Sequence, residues 1–214
     1  MGTITALRMQ PGRRRRVGVY VDGRMRIGVS PQVASGLAVG QAVDESLLAD
    51  LEGREAVEAA LQKAGRLLAR RPRSEAELRR ALQKAGGSDE STEAALGRLR
   101  EVGQIDDERF ARAWLEDRSE FRPRSALALR AELQRKGLSR EVVERVLAGF
   151  SEEEAATEAA RRAARRWRNA GETERRQHVY AYLQRRGFGH AIITAAVRRV
   201  AAETAAFTES EVES

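Results

Sequence analysis

LQKAGG at 82–87, LQRKGL at 133–138 and LQRRGF at 183–188 are three versions of one string, and their starts lie 51 and 50 residues apart. Each copy ends an apolar-periodic stretch on a glycine, the residue that most readily takes the left-handed conformation closing a helix. A further helical pattern follows each one. Three matches at nearly constant spacing predict a tandem repeat. Outward from these marks the helical period predicts Ala56–Arg70, Ser74–Ala85 and Asp89–Val102 in a first module. A second takes Glu108–Arg118, Arg124–Lys136 and Arg140–Ala148, and a third Glu152–Asn169, Glu174–Arg186 and His190–Ala202. Ser74-x-x-Glu77 and Ser151-x-x-Glu154 have the capping-box spacing. Phe110 and Trp114 share a helix face, as do Leu129 with Leu133 and Val142 with Val146.

The reading is mainly α: a tandem array of three three-helix repeats with a small N-terminal β-rich extension. The expected boundaries are 1–50, 51–106, 107–150 and 151–203, with an acidic flexible tail at 204–214. Such arrays offer extended surfaces to partners. Within 1–50, Val17, Val19 and Val21 alternate before Asp22-Gly23, and Met25, Ile27 and Val29 alternate after it. A two-residue Asp-Gly loop would place Val21 opposite Arg24 and Val19 opposite Arg26, mixing the faces. A three-residue Val21-Asp22-Gly23 loop pairs Val19 with Met25 and Val17 with Ile27, and is preferred. Ile4–Met9 reads as a further strand, in a unit too short to have much core of its own.

Composition limits the chemistry. Apolar residues make up 42% and aromatics 5%, so the core must be built from Leu, Val, Ile and Ala. No run approaches the roughly 20 apolar residues of a membrane span, and no signal-type block opens the chain; a cytoplasmic protein is expected. Without cysteine there is no disulfide or thiolate metal site. The net charge is +7, yet residues 1–50 carry seven Arg against four acids, and 201–214 carry four Glu and no base. The stretch 51–200 therefore holds an excess of +8. Of 39 basic residues only Lys63, Lys84 and Lys136 are lysines. A GC-rich genome gives such usage, and so does recognition of phosphate or carboxylate by the guanidinium fork; both readings stand.

Catalytic constellations are thin. His178 and His190 are the only histidines and stand in no HExxH spacing, so they read as exposed or hydrogen-bonded side chains. No GxxxxGK[ST] phosphate loop exists. Asp106-Asp107-Glu108 reads as a helix N-terminus, with metal binding the lesser alternative. Trp114 and Trp167 read as core in preference to base-stacking platforms. No enzyme activity, cofactor or metal is expected.

RSEAELRRAL at Arg73–Leu82, LREVGQIDDERFARAWLEDR at Leu99–Arg118 and RSALALRAELQRKGLS at Arg124–Ser139 together resemble the RecX regulatory protein family. YLQRRGF at Tyr182–Phe188 is similar to the family's C-terminal module, so the resemblance covers about 54–202. A Gly is common in the family near the position of Ser125, before the middle helix of module two. The resemblance implies a modular helical protein that binds RecA recombinase filaments on DNA and damps their ATP hydrolysis, strand exchange and coprotease activity, without catalysis of its own. The alternative is a nonspecific DNA-binding protein using Arg-rich helical faces. The partner-facing candidates are Arg70, Arg71, Arg73, Arg79 and Arg80 in module one; Arg122, Arg124, Arg130, Arg135 and Lys136 in module two; and Arg165, Arg166, Arg168, Arg185 and Arg186 in module three. Single- or double-stranded DNA is a further expected partner, a membrane is not, and a monomer is expected. The four-Arg run Arg13–Arg16 reads as a loop or strand start, and part of the helical arginine pairs with Glu at i, i+4.

Overall fold

Gly86, Gly137 and Gly187, the glycines of the three repeat marks, all have left-handed backbones, with φ of 89°, 88° and 87°. The marks close alike. In the second, Gly137 N donates to Gln134 O at 2.8 Å and Leu138 N to Leu133 O at 3.3 Å. The same pair of bonds recurs at Gly86–Gly87 and at Gly187–Phe188, the arrangement that satisfies the last carbonyls of a helix. The leading residues Leu82, Leu133 and Leu183 are 2%, 0% and 0% exposed, and Leu78, Leu129 and Val179 one turn earlier are also buried.

This computed structural model describes residues 1–11 and 16–212, with side chains through 203. Arg13–Arg15 of the basic run lie outside the described residues. The described chain carries four strands and ten helices: β1 (Gly2–Gln10), β2 (Arg16–Val21), β3 (Arg24–Val29), α1 (Pro31–Ala34), β4 (Ala42–Val43), α2 (Glu45–Leu68), α3 (Glu75–Gln83), α4 (Asp89–Glu101), α5 (Asp107–Phe121), α6 (Ala126–Arg135), α7 (Arg140–Leu147), α8 (Glu152–Arg166), α9 (Glu172–Arg185) and α10 (His190–Val212). Serines at 74, 88, 125, 139 and 151 cap α3, α4, α6, α7 and α8, each accepting from the backbone N–H three residues on. Ser125 fills this role at φ −65°, so the entry to α6 does not need a glycine. The backbone of α10 continues to Val212, through most of the stretch expected to be a tail; residues 213–214 lie outside the described residues.

Two compact units divide the chain, Met1–Asp106 and Asp107–Ser214. In the first, an antiparallel sheet of order β3-β2-β1-β4 buries Ile4, Val17, Val19, Val29 and Val43 against Val33 and Leu51. Leu51 belongs to α2, which begins at Glu45 rather than Ala56. Asp44 caps it, Oδ1 accepting from Leu47 N at 2.8 Å. The front of α2 covers the sheet through Leu47, Leu48 and Leu51. Its rear half puts Ala60 and Ala64 into the core of module one with Leu78, Leu82, Leu96 and Leu99.

The preferred hairpin register is overturned. Val21 pairs with Arg24 across a two-residue Asp22-Gly23 turn, with φ of 49° and 81°, the positive pair that such turns require. The faces are not mixed, because the register shifts between Val19 and Tyr20: Tyr20 faces Met25 but Val19 faces Ile27 and Val17 faces Val29. Arg26 is the extra residue, and a bulge re-aims every side chain after it. Asp22 is tied down by Thr3 N, which donates to its Oδ1 at 3.0 Å.

In the second unit, α5–α7 enclose Phe110, Ala111, Leu115, Leu129, Leu133, Leu138, Val143, Val146 and Leu147. Around α8–α10 the core uses five alanines of α8 with Val179, Leu183, Phe188, Ile193, Ala196 and Val200; small side chains let α8 and α10 approach closely. The two modules join at their helix ends. Ser125 N donates to Arg186 O at 3.3 Å, Arg186 Nη1 to Pro123 O at 3.3 Å, and Arg162 Nη1 to Glu120 O. Phe150 packs against both cores.

Candidate partner and nucleic-acid interface

Of the fifteen candidate cations, seven already meet a carboxylate or an aromatic ring, and three more meet a backbone carbonyl. Arg79 donates Nε and Nη2 to Glu93 at 2.6 and 3.0 Å and also meets Glu75 at 2.8 Å. Arg130 makes the same fork with Glu144, at 2.7 and 2.9 Å. Both partners lie 14 residues on, so the bridge is a repeated feature that fastens the second helix of the module to the third. In module three those positions are Tyr180 and Thr194, and Tyr180 Oη instead meets His190 Nδ1 at 2.6 Å. The bridges hold Glu93 and Glu144 below the ordinary carboxylate range, the Arg hydrogen bond being the largest cause.

Other candidates are similarly engaged. Arg71 pairs with Glu77 at 2.8 Å, and Arg73 Nε donates to Leu67 O at 3.4 Å. Arg80 and Arg135 each cap a carbonyl one turn back, at 3.1 Å. Arg186 lies 4.6 Å over the Tyr182 ring, and Arg166 5.6 Å over Trp167. Arg70, Arg122, Arg165, Arg168 and Arg185 are exposed and have no side-chain partner among the described residues.

Trp114 carries the densest cluster in module two. It packs on Phe110, ring centroids 5.9 Å apart, while Arg118 and Lys136 lie 4.1 and 4.6 Å from its own centroid. Its Nε1 donates to Glu132 Oε2 at 3.0 Å, and Arg118 Nε donates to the same oxygen at 2.8 Å. Arg124 stands 3.7 Å from the other oxygen. Burial pushes the Glu132 carboxyl up, but the bonds from Arg118 and Trp114 outweigh it and hold the group below the ordinary range. Lys136 and Arg124 are thus part of a structural knot, with Trp114 as its half-buried centre. Trp167 is the counterpart in module three, packed on the core and stacked on His178 at 5.0 Å.

Asp107 and Glu108 open α5, as their sequence suggested. Glu108 meets Arg112 at 2.5 Å and Arg145 at 2.8 Å, joining α5 to α7. Sequence reasoning missed Arg175, which is half-buried on α9. With Arg161, Arg165 and Arg168 of the α8 region it lines a pocket of about 600 Å³. Arg165 and Arg168 were already candidates by sequence, but the partner from α9 is brought in by packing that no spacing announces.

Three family models match the chain in order: one described as the first three-helix domain of RecX at residues 60–99, the second at 106–147 and the third at 151–197. A protein of Geobacillus kaustophilus called Regulatory protein RecX is 30% identical over 220 residues, covering 99% of this chain and 80% of the relative. One of the same name from Amycolatopsis mediterranei is 33% identical, covering 64% of this chain and 83% of the relative. Another from Mycolicibacterium vanbaalenii is 45% identical over 85 residues, a stretch that spans only 46% of that relative. A crystal structure of regulatory protein RecX superposes with a TM-score of 0.70 over 90% of this chain and 97% of its own, at 24% identity; it shows the fold. Among the described residues no helix is long and apolar enough to cross a membrane.

Proposed function

This chain belongs to the RecX family of regulatory proteins, and on that footing we propose that it binds RecA filaments assembled on DNA and restrains them. The restraint covers ATP hydrolysis, strand exchange and coprotease activity. The protein acts as a single chain in the cytoplasm and does no chemistry of its own. The observation that carries the reading is the succession of all three RecX domains along the chain. Exposed arginines with no side-chain partner among the described residues support it: Arg70, Arg122, and Arg165 with Arg168 and Arg185. Cations without intramolecular partners keep their full attraction for an external anion, whereas Arg79 and Arg130 would have to give up a bidentate carboxylate first.

The reading is tested on RecA's DNA-dependent ATP hydrolysis. Near-stoichiometric amounts of the protein should slow it, and Arg122→Glu with Arg185→Glu should weaken that effect severalfold, since reversal adds repulsion to the lost attraction. Unchanged hydrolysis at every ratio sinks the proposal. The alternative, direct binding of DNA backbone, is favoured by one observation, the arginine-lined pocket of module three. Bare-strand binding with no effect on RecA would select it.

A further inference from the structure

The pocket on module three lies between α8, α9 and α10, with Ala164 and Val200 as its apolar lining. Four arginines and one glutamate also line it. Arg161 is already neutralised: its Nε and Nη2 reach the two oxygens of Glu203 at 2.7 Å each, and Nη1 reaches Glu158 at 3.3 Å. These bonds raise the Arg161 pKa, Glu203 being the first cause. Arg165, Arg168 and Arg175 remain, and none has a side-chain partner among the described residues. Three guanidinium groups with no carboxylate partner among the described residues line one space and repel one another. The arrangement costs free energy unless an anion enters it.

We propose that this pocket is a phosphodiester site that takes the backbone of a single-stranded nucleic acid. The guanidinium fork matches phosphate oxygens in pairs. The volume is in the range of ligand pockets, roughly 300–1,000 Å³, and Ala164 and Val200 give the sugar or base an apolar surface. A flexible strand can bend a phosphate into a recess, whereas a duplex stiff over about 150 bp lays its phosphates along an outer surface. The site deepens the alternative reading above, direct binding of DNA backbone; it needs no RecA, so its test is separate from that of RecA restraint.

The test uses the full chain alone, with a short labelled oligothymidylate titrated at several salt concentrations. Arg168→Ala with Arg175→Ala should lower affinity at least about tenfold, because two charge-assisted contacts are lost. It should also flatten the dependence of log affinity on log salt by about 1.4, at roughly 0.7 per phosphate for a single strand. Arg112→Ala, on module two and bridged to Glu108, should change neither. Arg168→Lys with Arg175→Lys keeps the charge and should keep the salt slope while losing part of the affinity. Far-ultraviolet circular dichroism checks that each variant is folded. Thymidine monophosphate and inorganic phosphate, added as competitors, should displace the strand only at much higher concentration. An unchanged slope in the alanine variant overturns the proposal. So does thymidine monophosphate binding as tightly as the strand, which would make this a free-nucleotide site, or displacement by polyglutamate as effective as by an oligonucleotide of equal charge, which would make the ligand a carboxylate.

Discussion

Leu133 opens the second repeat mark with none of its surface exposed, one turn after the equally buried Leu129. Leu133→Ala should cost about 2–5 kcal/mol, because it removes buried methyl groups and leaves a cavity; the urea midpoint reads the loss. A cost below about half a kcal/mol would mean the cavity collapses or the helix faces elsewhere. Leucines such as this were legible because burial follows the 3.6-residue period. The Glu132 knot was not, since its members come from two helices with separations of 14 and 18 residues. Its prediction concerns pH. The folded Glu132 pKa is depressed, so the stabilisation is fully present above the ordinary Glu value of about 4.3 and is lost as pH falls through the lower folded value. Glu132→Gln should therefore be less stable than the parent at neutral pH, with the gap closing in strong acid. Denaturant midpoints at the two pH values measure it, and a pH-independent gap would show that packing alone is responsible.

At the scale of elements, the repeat glycines allow a matched comparison. Gly86 and Gly187 have nearly the same φ, 89° and 87°, but a Cβ on Gly86 meets nothing within 4 Å while one on Gly187 falls 2.8 Å from Ser125 Oγ. Gly86→Ala should lose about 1–2 kcal/mol from left-handed strain alone. Gly187→Ala should lose more, because it also pushes on the cap of α6 and the joint between modules two and three. Equal losses in thermal melts would mean that joint yields freely. Helix ends were largely readable from Ser at the caps and Gly at the stops. Two elements misled for physical reasons. The hairpin hid a bulge at Arg26, which alternation cannot reveal because one extra residue restores the pattern on both sides. The front of α2 was missed because its apolar residues serve the sheet, not the repeat, although Asp44 before Glu45-Ser46-Leu47 was an available start signal.

At the scale of the whole molecule, α2 decides where the chain can be cut. Truncation at residue 51 would sever the helix and strip Leu47 and Leu48 from the sheet, whereas the units Met1–Asp106 and Asp107–Ser214 each keep their cores. Fragments 1–106 and 107–214 should each melt cooperatively, and fragment 51–214 should lose helix at its front; a non-cooperative 107–214 would contradict the division. The tandem plan was visible from three six-residue strings, whereas the distribution of free charge was not. Residues 51–200 carry a net excess of +8. Bridges such as Arg79–Glu93 and Arg130–Glu144 pair one Arg with one Glu, so they leave that excess unchanged but decide which arginines carry it. Which cations stay free is settled by packing between helices, so composition alone does not locate them. The proposed function has these modules recognise a RecA filament in preference to the DNA within it. Its most direct test is the affinity of the full chain for RecA-coated single-stranded DNA against the same bare DNA at the same salt. Much tighter binding to the coated strand is predicted, and equal affinity for both would contradict it.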